Sequence, residues 1–279
     1  MNHKEIEING QNIAYYESNG KGRPVLFVHG NSMSSLCFEK QLSSILGKTY
    51  RLVALDLPGH GRSAPAQEAK SGYALPGYAA VVSEFAKRLG IDGALLVGWC
   101  LGGHVILEAS GQLPESAGLM LCGTPPCGKP MAPDAFMPNP LLPLVFTRDL
   151  NDEEISALTA EFFLPGYRIP PFFIDDMKRT DGRAREALLQ SVQEGHYTDE
   201  VEVVANLNNP LAIIHGEMDS MANSSYIKNL SIPTLWRGDL QMIPDSGHTP
   251  HWEQPEIFNS LLDDFIQDSS HGLDRPLLP

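Results

Sequence analysis

Residues 94–104 read ALLVGWCLGGH. A short apolar run enters the pentapeptide Gly98-Trp99-Cys100-Leu101-Gly102, and an apolar helical pattern follows over Leu101–Gln112. A strand, a sharp turn and a helix in this order are the setting in which Gly-x-nucleophile-x-Gly presents a reactive side chain on a tight bend. The sequence therefore predicts that Cys100 lies on such a bend, at the start of a helix.

The central residue of the pentapeptide is a cysteine, whereas serine is the usual residue at that position. The chemistry of the pentapeptide therefore depends on the properties of a thiol. At a helix N-terminus the positive end of the dipole and the free amide donors lower a thiol pKa toward the reactive thiolate. Taken alone, the pentapeptide leaves a second interpretation open, in which Cys100 is a small buried core residue at a helix start.

Apolar runs like that of residues 94–97 recur along the chain and are bounded by Gly, Pro or Asp. Continuous runs are typical of strands that are covered on both faces, as in a parallel sheet. Before the first run, Asn9-Gly10 between alternating segments predicts a hairpin. The runs are Val25–Val28, Leu52–Leu55, Leu95–Val97, Leu119–Leu121 and Leu211–Ile214, and helical patterns cover Tyr78–Leu89, Leu101–Gln112 and Pro255–Ile266.

The alternation of strands and helices stops between residues 124 and 208, which are rich in proline and aromatic residues. We expect a helical cap here, inserted into an α/β core of residues 1–123 and 209–268, with a tail over 269–279. Its apolar side chains either pack the cap on itself or line a pocket. The candidate substrate-binding residues are Phe136, Met137, Phe146 and Phe163 of this segment, together with Trp99.

Two further strand ends carry residues that complete a catalytic set. Asp219 follows the run Leu211–Ile214, and His248 follows a short run at residues 241–243. The chain order of nucleophile, acid and base is that of α/β-hydrolases. We predict that His248 takes the proton from Cys100 and that Asp219 orients the imidazole. Glu217 and His251 are the competing candidates.

Developing negative charge on a substrate oxygen requires fixed donors. The backbone N–H of Leu101, just after the candidate nucleophile, is one, and that of Asn31, after the strand end His29-Gly30, is the other. His60 is expected to belong to a structural turn. His104, one helical turn after Cys100, is expected to pack behind the site.

Composition excludes several classes of protein. The chain has 279 residues with 20 Lys+Arg and 34 Asp+Glu, a formal net charge of −14, which disfavours nucleic-acid binding. A hydrophobic share of 42% with 19% charged residues is ordinary for a globular protein. No apolar run reaches the roughly 18 residues of a membrane span, and no signal-peptide pattern is present, so we expect a soluble protein without a membrane partner.

The number and spacing of the cysteines indicate the cellular compartment and whether a metal site is expected. The four cysteines, Cys37, Cys100, Cys122 and Cys127, do not form the dense spacing of a disulfide framework. A reduced, cytoplasmic setting is therefore expected. The sequence contains neither Cys-x-x-Cys nor His-Glu-x-x-His, so we predict no metal and no other cofactor.

Several segments together resemble one family of known activity. They are His29–Ser32, Asp56–Ser63, Gly98–His104, Gly118–Met120 with Gly123–Pro126, Arg179–Arg185 and Gly247-His248. The set resembles the metal-independent N-acyl-homoserine lactonases of the α/β-hydrolase fold, from near the N-terminus to about residue 268. The most specific parts are Gly-Thr-Pro-Pro at 123–126 and the segment Arg179–Arg185. In that family the nucleophile is Ser, and Cys100 stands in its place.

The resemblance implies a mostly parallel central sheet flanked by helices, a helical cap, and opening of an acylated homoserine lactone by attack of Cys100. The cap would hold the acyl chain. Because a thioester is more activated than an oxoester, three functions stay open. They are a lactonase or esterase, an acyltransferase or thioesterase, and a receptor that binds a small ligand without catalysis. The expected partner is a small acyl lactone, ester or thioester, and the oligomeric state is left open.

Overall fold

The computed structural model describes residues 1–271, with side chains described through Ser269. Within this range eight strands form one sheet in the order β1-β2-β4-β3-β5-β6-β7-β8. The strands are β1 (Asn2–Ile8), β2 (Gln11–Glu17), β3 (Pro24–Val28), β4 (Arg51–Leu55), β5 (Leu95–Trp99), β6 (Gly118–Cys122), β7 (Leu211–Gly216) and β8 (Gln241–Ile243). Strand β2 pairs antiparallel with β1 and β4, and all other pairs are parallel. The predicted mostly parallel sheet is confirmed.

Twelve α-helices accompany the sheet in the described residues. They are α1 (Glu39–Leu42), α2 (Leu46–Thr49), α3 (Ala69–Gly72), α4 (Leu75–Arg88), α5 (Leu101–Ala109), α6 (Asp152–Glu161), α7 (Pro171–Arg179), α8 (Gly182–Gln193), α9 (Glu200–Asn206), α10 (Ser224–Lys228), α11 (Pro250–Glu253) and α12 (Pro255–His271). None of them is both long and apolar enough to cross a membrane. The predicted tail begins inside α12, and its residues 272–279 lie outside the described range.

The continuous apolar strands are explained by two cores, one on each face of the sheet. In β3, Leu26 and Val28 join one core, and Val25 and Phe27 join the other. Successive side chains of a strand point to opposite faces. Each strand therefore needs apolar residues at consecutive positions, because helices cover both faces.

The N-terminal hairpin forms where its turn signal predicts it. Asn9 and Gly10 have φ values of 51° and 77°, and β1 pairs with β2 from Ile8↔Gln11 outward. Both central positions of this turn type need positive φ, which Asn and Gly adopt at low cost. The hairpin extends the edge of the parallel sheet by two antiparallel strands.

Parallel pairing brings several strand ends to one edge of the sheet. Val28 aligns with Gly98, Trp99 with Cys122, and Gly216 with Ile243. The loops after β3, β5, β6, β7 and β8 therefore open on the same side, which is where open α/β sheets bind ligands.

The segment between β6 and β7 carries the helices α6 to α9. It returns to the sheet layer through α9, which packs against α5. It is also fixed to the loop after β3, since the buried side chain of Arg185 donates to Ser32 Oγ at 3.1 Å and to the carbonyls of Thr147 and Arg148. We refer to residues 124–208 as the insertion.

Gly102 is required by the close approach of α5 to β3. A Cβ at Gly102 would lie 1.9 Å from the carbonyl oxygen of Val28. We expect Gly102→Ala to lower the free energy of unfolding by about 3 kcal/mol, as in overpacked cores. The matched control is Gly111→Ala at the other end of the same helical region, where a Cβ meets nothing within 4 Å. It should stabilise the protein by about 0.5 kcal/mol. Urea unfolding measures both, and equal midpoints would contradict the packing argument.

Candidate active site

Cys100 lies on a strained bend between β5 and α5. Its backbone has φ 52° and ψ −119°, a region that residues with a side chain seldom occupy. The bend is fixed from β6: the Cys100 N–H donates to the Cys122 carbonyl at 2.9 Å, and Thr124 Oγ1 donates to the Cys100 carbonyl at 2.9 Å. The residue Cys100 is partly exposed, whereas Cys37, Cys122 and Cys127 are buried. The arrangement presents the thiol of Cys100 at the carboxyl edge of the sheet.

His248 and Asp219 form a buried imidazole–carboxylate pair at the same edge. His248 Nδ1 lies 3.0 and 2.9 Å from the two carboxylate oxygens of Asp219. The carboxylate is held in place by the N–H groups of Met221 and Ala222, which donate to Oδ1 at 2.8 and 3.1 Å. His248 Nε2 is buried, and among the described residues no hydrogen-bond partner meets it. That nitrogen is left to serve a reacting group.

The competing candidates lie elsewhere. Glu217 is exposed at the end of β7 and does not contact the imidazole pair. His251 is buried against Trp99, with ring centroids 4.8 Å apart, and burial lowers its pKa to about 3. His60 packs on His29 and Tyr78 in the turn after β4, and burial lowers its pKa to about 3 as well. Both of these histidines are therefore neutral packing groups at ordinary pH.

The electrostatics of the site favour a charged thiolate–imidazolium pair. Burial opposes ionisation of Cys100, but the charge of His248 outweighs it and lowers the pKa of the thiol. Burial also opposes the His248 imidazolium, and the charges of Asp219 and Cys100 outweigh that effect and raise its pKa. Asp219 is buried too, and His248 keeps its pKa below the ordinary value. All three shifts act in the direction that activates a sulfur nucleophile.

One candidate oxyanion donor, Leu101, adjoins Cys100 in the chain, and the loop that carries the other, Asn31, approaches Cys100 at Gly30. Leu101 is the first residue of α5, and its N–H points toward the sulfur and lowers the thiol pKa. Asn31 follows Gly30, at which a Cβ would lie 3.2 Å from the Cys100 Cβ. The Asn31 side chain donates to the Val145 carbonyl at 2.7 Å, so it ties the loop after β3 to the insertion.

The five candidate substrate-binding residues differ in their surroundings. Trp99 is buried, and its Nε1 donates to the His248 carbonyl at 2.7 Å, which fixes the loop that carries the imidazole. Phe163 is buried and stacks on Tyr167 with ring centroids 5.2 Å apart. Phe136 and Phe146 are partly buried against the core, whereas Met137 is 37% exposed.

Sequence reasoning missed two residues that shape the surroundings of His248. The ring of Phe162 lies 5.8 Å from that of His248. Glu253 accepts the N–H groups of Gly247 and of Leu164, both at 2.8 Å, and so joins the histidine loop to the insertion. No local motif signals the contact of Phe162 with His248 or that of Leu164 with Glu253, because each joins residues far apart in the chain, 89 positions in the second case.

One cluster brings together three groups that could bind a metal. Ligand atoms of His104, Cys127 and Glu200 all lie within 4.8 Å of one another. The donor set does not fit an ion well, because burial strongly raises the pKa of the Cys127 thiol. The Glu200 carboxylate already accepts His104 Nδ1 at 2.9 Å and the Cys127 N–H at 2.7 Å. We therefore interpret the cluster as a hydrogen-bonded pair of His104 and Glu200.

The fold and the strand-end site define a class of protein. Residues 25–261 match the model of the alpha/beta hydrolase family, and the chain belongs to that family. It is an α/β-hydrolase enzyme with lactonase-, esterase- and haloperoxidase-like relatives.

The chain is similar to individual proteins of this family. The N-acyl homoserine lactonase AidH, crystallised as a variant with N-hexanoyl homoserine lactone, is 32% identical, with a TM-score of 0.94 over 97% of this chain and 99% of the other. The hydrolase YugF of Bacillus subtilis is 26% identical over 95% of this chain and 97% of its own length. A non-heme haloperoxidase of Rhodococcus erythropolis is 24% identical over 91% of this chain and 95% of its own.

The charged pair predicts how Cys100 reacts with iodoacetamide. We expect Cys100 to be alkylated faster than Cys37, Cys122 and Cys127. The pH at which its alkylation rate is half-maximal, the alkylation midpoint, should lie below the pKa of an ordinary thiol. His248→Ala should move that midpoint upward by about 2 pH units, since removal of an opposite charge raises a thiol pKa. Peptide mass spectrometry across pH measures the rates, and His196→Ala, an exposed histidine, is the control. Equal labelling of all four cysteines would contradict an activated thiolate.

Proposed function

We propose that this hydrolase cleaves a carboxylic ester or lactone through a covalent acyl intermediate on Cys100. The observation that carries the proposal is the buried His248–Asp219 pair beside a thiol on a strained strand-to-helix bend. A receptor that only binds a ligand would not need a buried carboxylate aligned on an imidazole. The retained pair therefore favours catalysis over binding alone.

Acylation begins with the Cys100 thiolate and the His248 imidazolium. The sulfur attacks the carbonyl carbon, a C–S bond forms, and the electron pair of the C=O bond moves to oxygen. The N–H groups of Leu101 and Asn31 stabilise that oxyanion. When the C=O bond re-forms, the C–O bond to the leaving group breaks, and His248 Nε2 gives its proton to the departing alkoxide.

Deacylation uses the imidazole in its neutral form. His248 takes a proton from water while the water oxygen attacks the thioester carbonyl. The C–S bond then breaks, and sulfur leaves as the thiolate beside the imidazolium, which restores the starting state. The carboxyl group of the product loses a proton to solvent. Asp219 stays ionised throughout and stabilises the cation on His248.

The substrate we propose is an acylated lactone, with the N-hexanoyl homoserine lactone of one AidH complex as a chemical example. In a lactone the leaving alkoxide stays attached to the acyl product, so one hydroxy acid is released. We propose that the insertion acts as the cap and that its apolar side chains, with Trp99, hold the acyl chain. The apolar content of the insertion around Phe136, Phe146 and Phe163 supports that role.

A second candidate activity follows from sulfur itself. A thioester intermediate is a better acyl donor than an oxoester, because its carbonyl is less stabilised by the heteroatom. Cys100 in the usual serine position therefore also supports a thioesterase or an acyltransferase with the same three residues. A panel of acyl homoserine lactones, simple esters and acyl thioesters distinguishes the activities by kcat/KM.

The covalent intermediate can be trapped. With an activated aryl ester, whose phenolate leaves without a general acid, His248→Ala at alkaline pH should accumulate an acyl group on Cys100, because water lacks its base. Intact-mass spectrometry should show the mass increase in His248→Ala and not in the matched variant His248→Ala/Cys100→Ala. Absence of the adduct at every pH would overturn the covalent mechanism in favour of a receptor.

Replacement of the sulfur tests whether the bend is adapted to it. We expect Cys100→Ser to lose activity toward acyl thioesters by about 100-fold or more, since a serine hydroxyl has no ionised form near neutral pH and depends wholly on the base. Steady-state kinetics on esters and thioesters measure the change. A gain in ester hydrolysis would instead show a scaffold adapted to a hydroxyl nucleophile.

A further inference from the structure

A second imidazole–carboxylate pair lies beside the elbow and shares no residue with the His248–Asp219 pair. His104 Nδ1 is 2.9 Å from both carboxylate oxygens of Glu200. Glu200 is 1% exposed, and its position is fixed by the Cys127 N–H, which donates to it at 2.7 Å. A buried carboxylate at this distance favours the imidazolium form of the ring, because each buried charge is stabilised by a partner of opposite sign.

Helix geometry directs this imidazole toward Cys100. Cys100 is the N-cap of α5, and His104 follows four residues later. Side chains of a helix lean toward its N-terminus, which directs His104, in the first turn of α5, toward the helix end next to Cys100. The ring contacts the insertion at Phe136, with centroids 6.5 Å apart.

We propose that His104, kept protonated by Glu200, is a positioning residue that stabilises the Cys100 thiolate from the helix side of the elbow. The inference rests on the proposed function only in taking Cys100 as the nucleophile. It assigns the site two cations, His248 for proton transfer and His104 for charge alone. His104 keeps its charge after His248 has given its proton to the leaving group. In deacylation the departing sulfur then meets two cations, the re-formed His248 imidazolium and His104.

The charged groups around the His104 imidazole and the Cys100 sulfur are consistent with a His104 cation that stabilises the thiolate. Burial opposes the His104 cation, but Glu200 outweighs it and, with Cys100, raises the imidazole pKa. Of the other groups near His104, the thiol of Cys127 is neutral, and Glu108, one turn further along α5, accepts the Thr198 N–H at 2.7 Å. The charges of His248 and His104 both lower the pKa of the Cys100 thiol, and burial keeps the thiol of Cys122 neutral.

The sign of the effect follows from the charges. A cation beside the sulfur favours the thiolate, so its removal raises the pH at which Cys100 ionises. By linkage the thiolate must favour the His104 cation by the same free energy, so removal of the sulfur lowers the His104 pKa. A purely structural His104 would alter stability without moving either titration.

The experiment measures the pH profile of Cys100 alkylation by iodoacetamide in His104→Gln and Glu200→Gln. Both variants should move the midpoint upward by about one pH unit, as loss of a partly exposed opposite charge does. Glu108→Gln is the matched control, since it removes a carboxylate from the same helix face without touching His104, and its midpoint should not move. Urea unfolding checks that the variants are folded.

The second measurement does not depend on altering the pair. NMR titration of His104 in Cys100→Ala should give a lower imidazole pKa than in the parent protein. An unchanged pKa, or unmoved alkylation midpoints in folded His104→Gln, would overturn the proposal. A midpoint that changes on adding zinc ions or a chelator to the parent protein would overturn it in favour of a metal at His104, Cys127 and Glu200.

The outcomes separate this inference from the proposed function. If Cys100 is alkylated no faster than a buried thiol in the parent protein, the nucleophile itself is wrong. If His248→Ala moves the midpoint and His104→Gln does not, the nucleophile stands and only the role of His104 fails.

Discussion

The site depends on one constraint, the left-handed bend at Cys100 between β5 and α5. The bend is stable because β6 accepts the Cys100 N–H and Thr124 donates to the Cys100 carbonyl. It also requires that α5 start directly against β3, which Gly102 allows because it has no Cβ. A strained conformation persists only where its surroundings fix it, and here β3 and β6 do so.

The same bend sets the electrostatics of the thiol. It places sulfur at the first N–H groups of α5, where the helix dipole favours negative charge. Burial raises the pKa of the other three cysteines. Burial opposes ionisation of Cys100 as well, but there the charge of His248 outweighs it. Two imidazoles from different elements then act on one sulfur. His248 comes from the loop after β8, and His104 comes from α5 itself.

The insertion is joined to the site at several points rather than lying free above it. Asn31 bonds Val145, Arg185 bonds Ser32, and Glu253 bonds Leu164. Each contact links the insertion to a loop that carries a candidate catalytic or oxyanion residue. A change in the insertion can therefore alter the position of the candidate reacting groups, even where the changed residue contacts none of them.

The sequence alone determined the local parts of this protein. The continuous apolar strands, the Asn9-Gly10 hairpin and the elbow around Cys100 follow from periodicity and backbone preference, which are properties of neighbouring residues. The order of Cys100, Asp219 and His248 along the chain also predicted a set of nucleophile, acid and base. Only the tertiary structure decided that Asp219 rather than Glu217 meets the imidazole, and that Glu200 pairs with His104. The His248–Asp219 and His104–Glu200 contacts join residues 29 and 96 positions apart. The register of the sheet and the path of the insertion back to the sheet bring these residues together. The pattern of neighbouring residues in the sequence does not encode either of them.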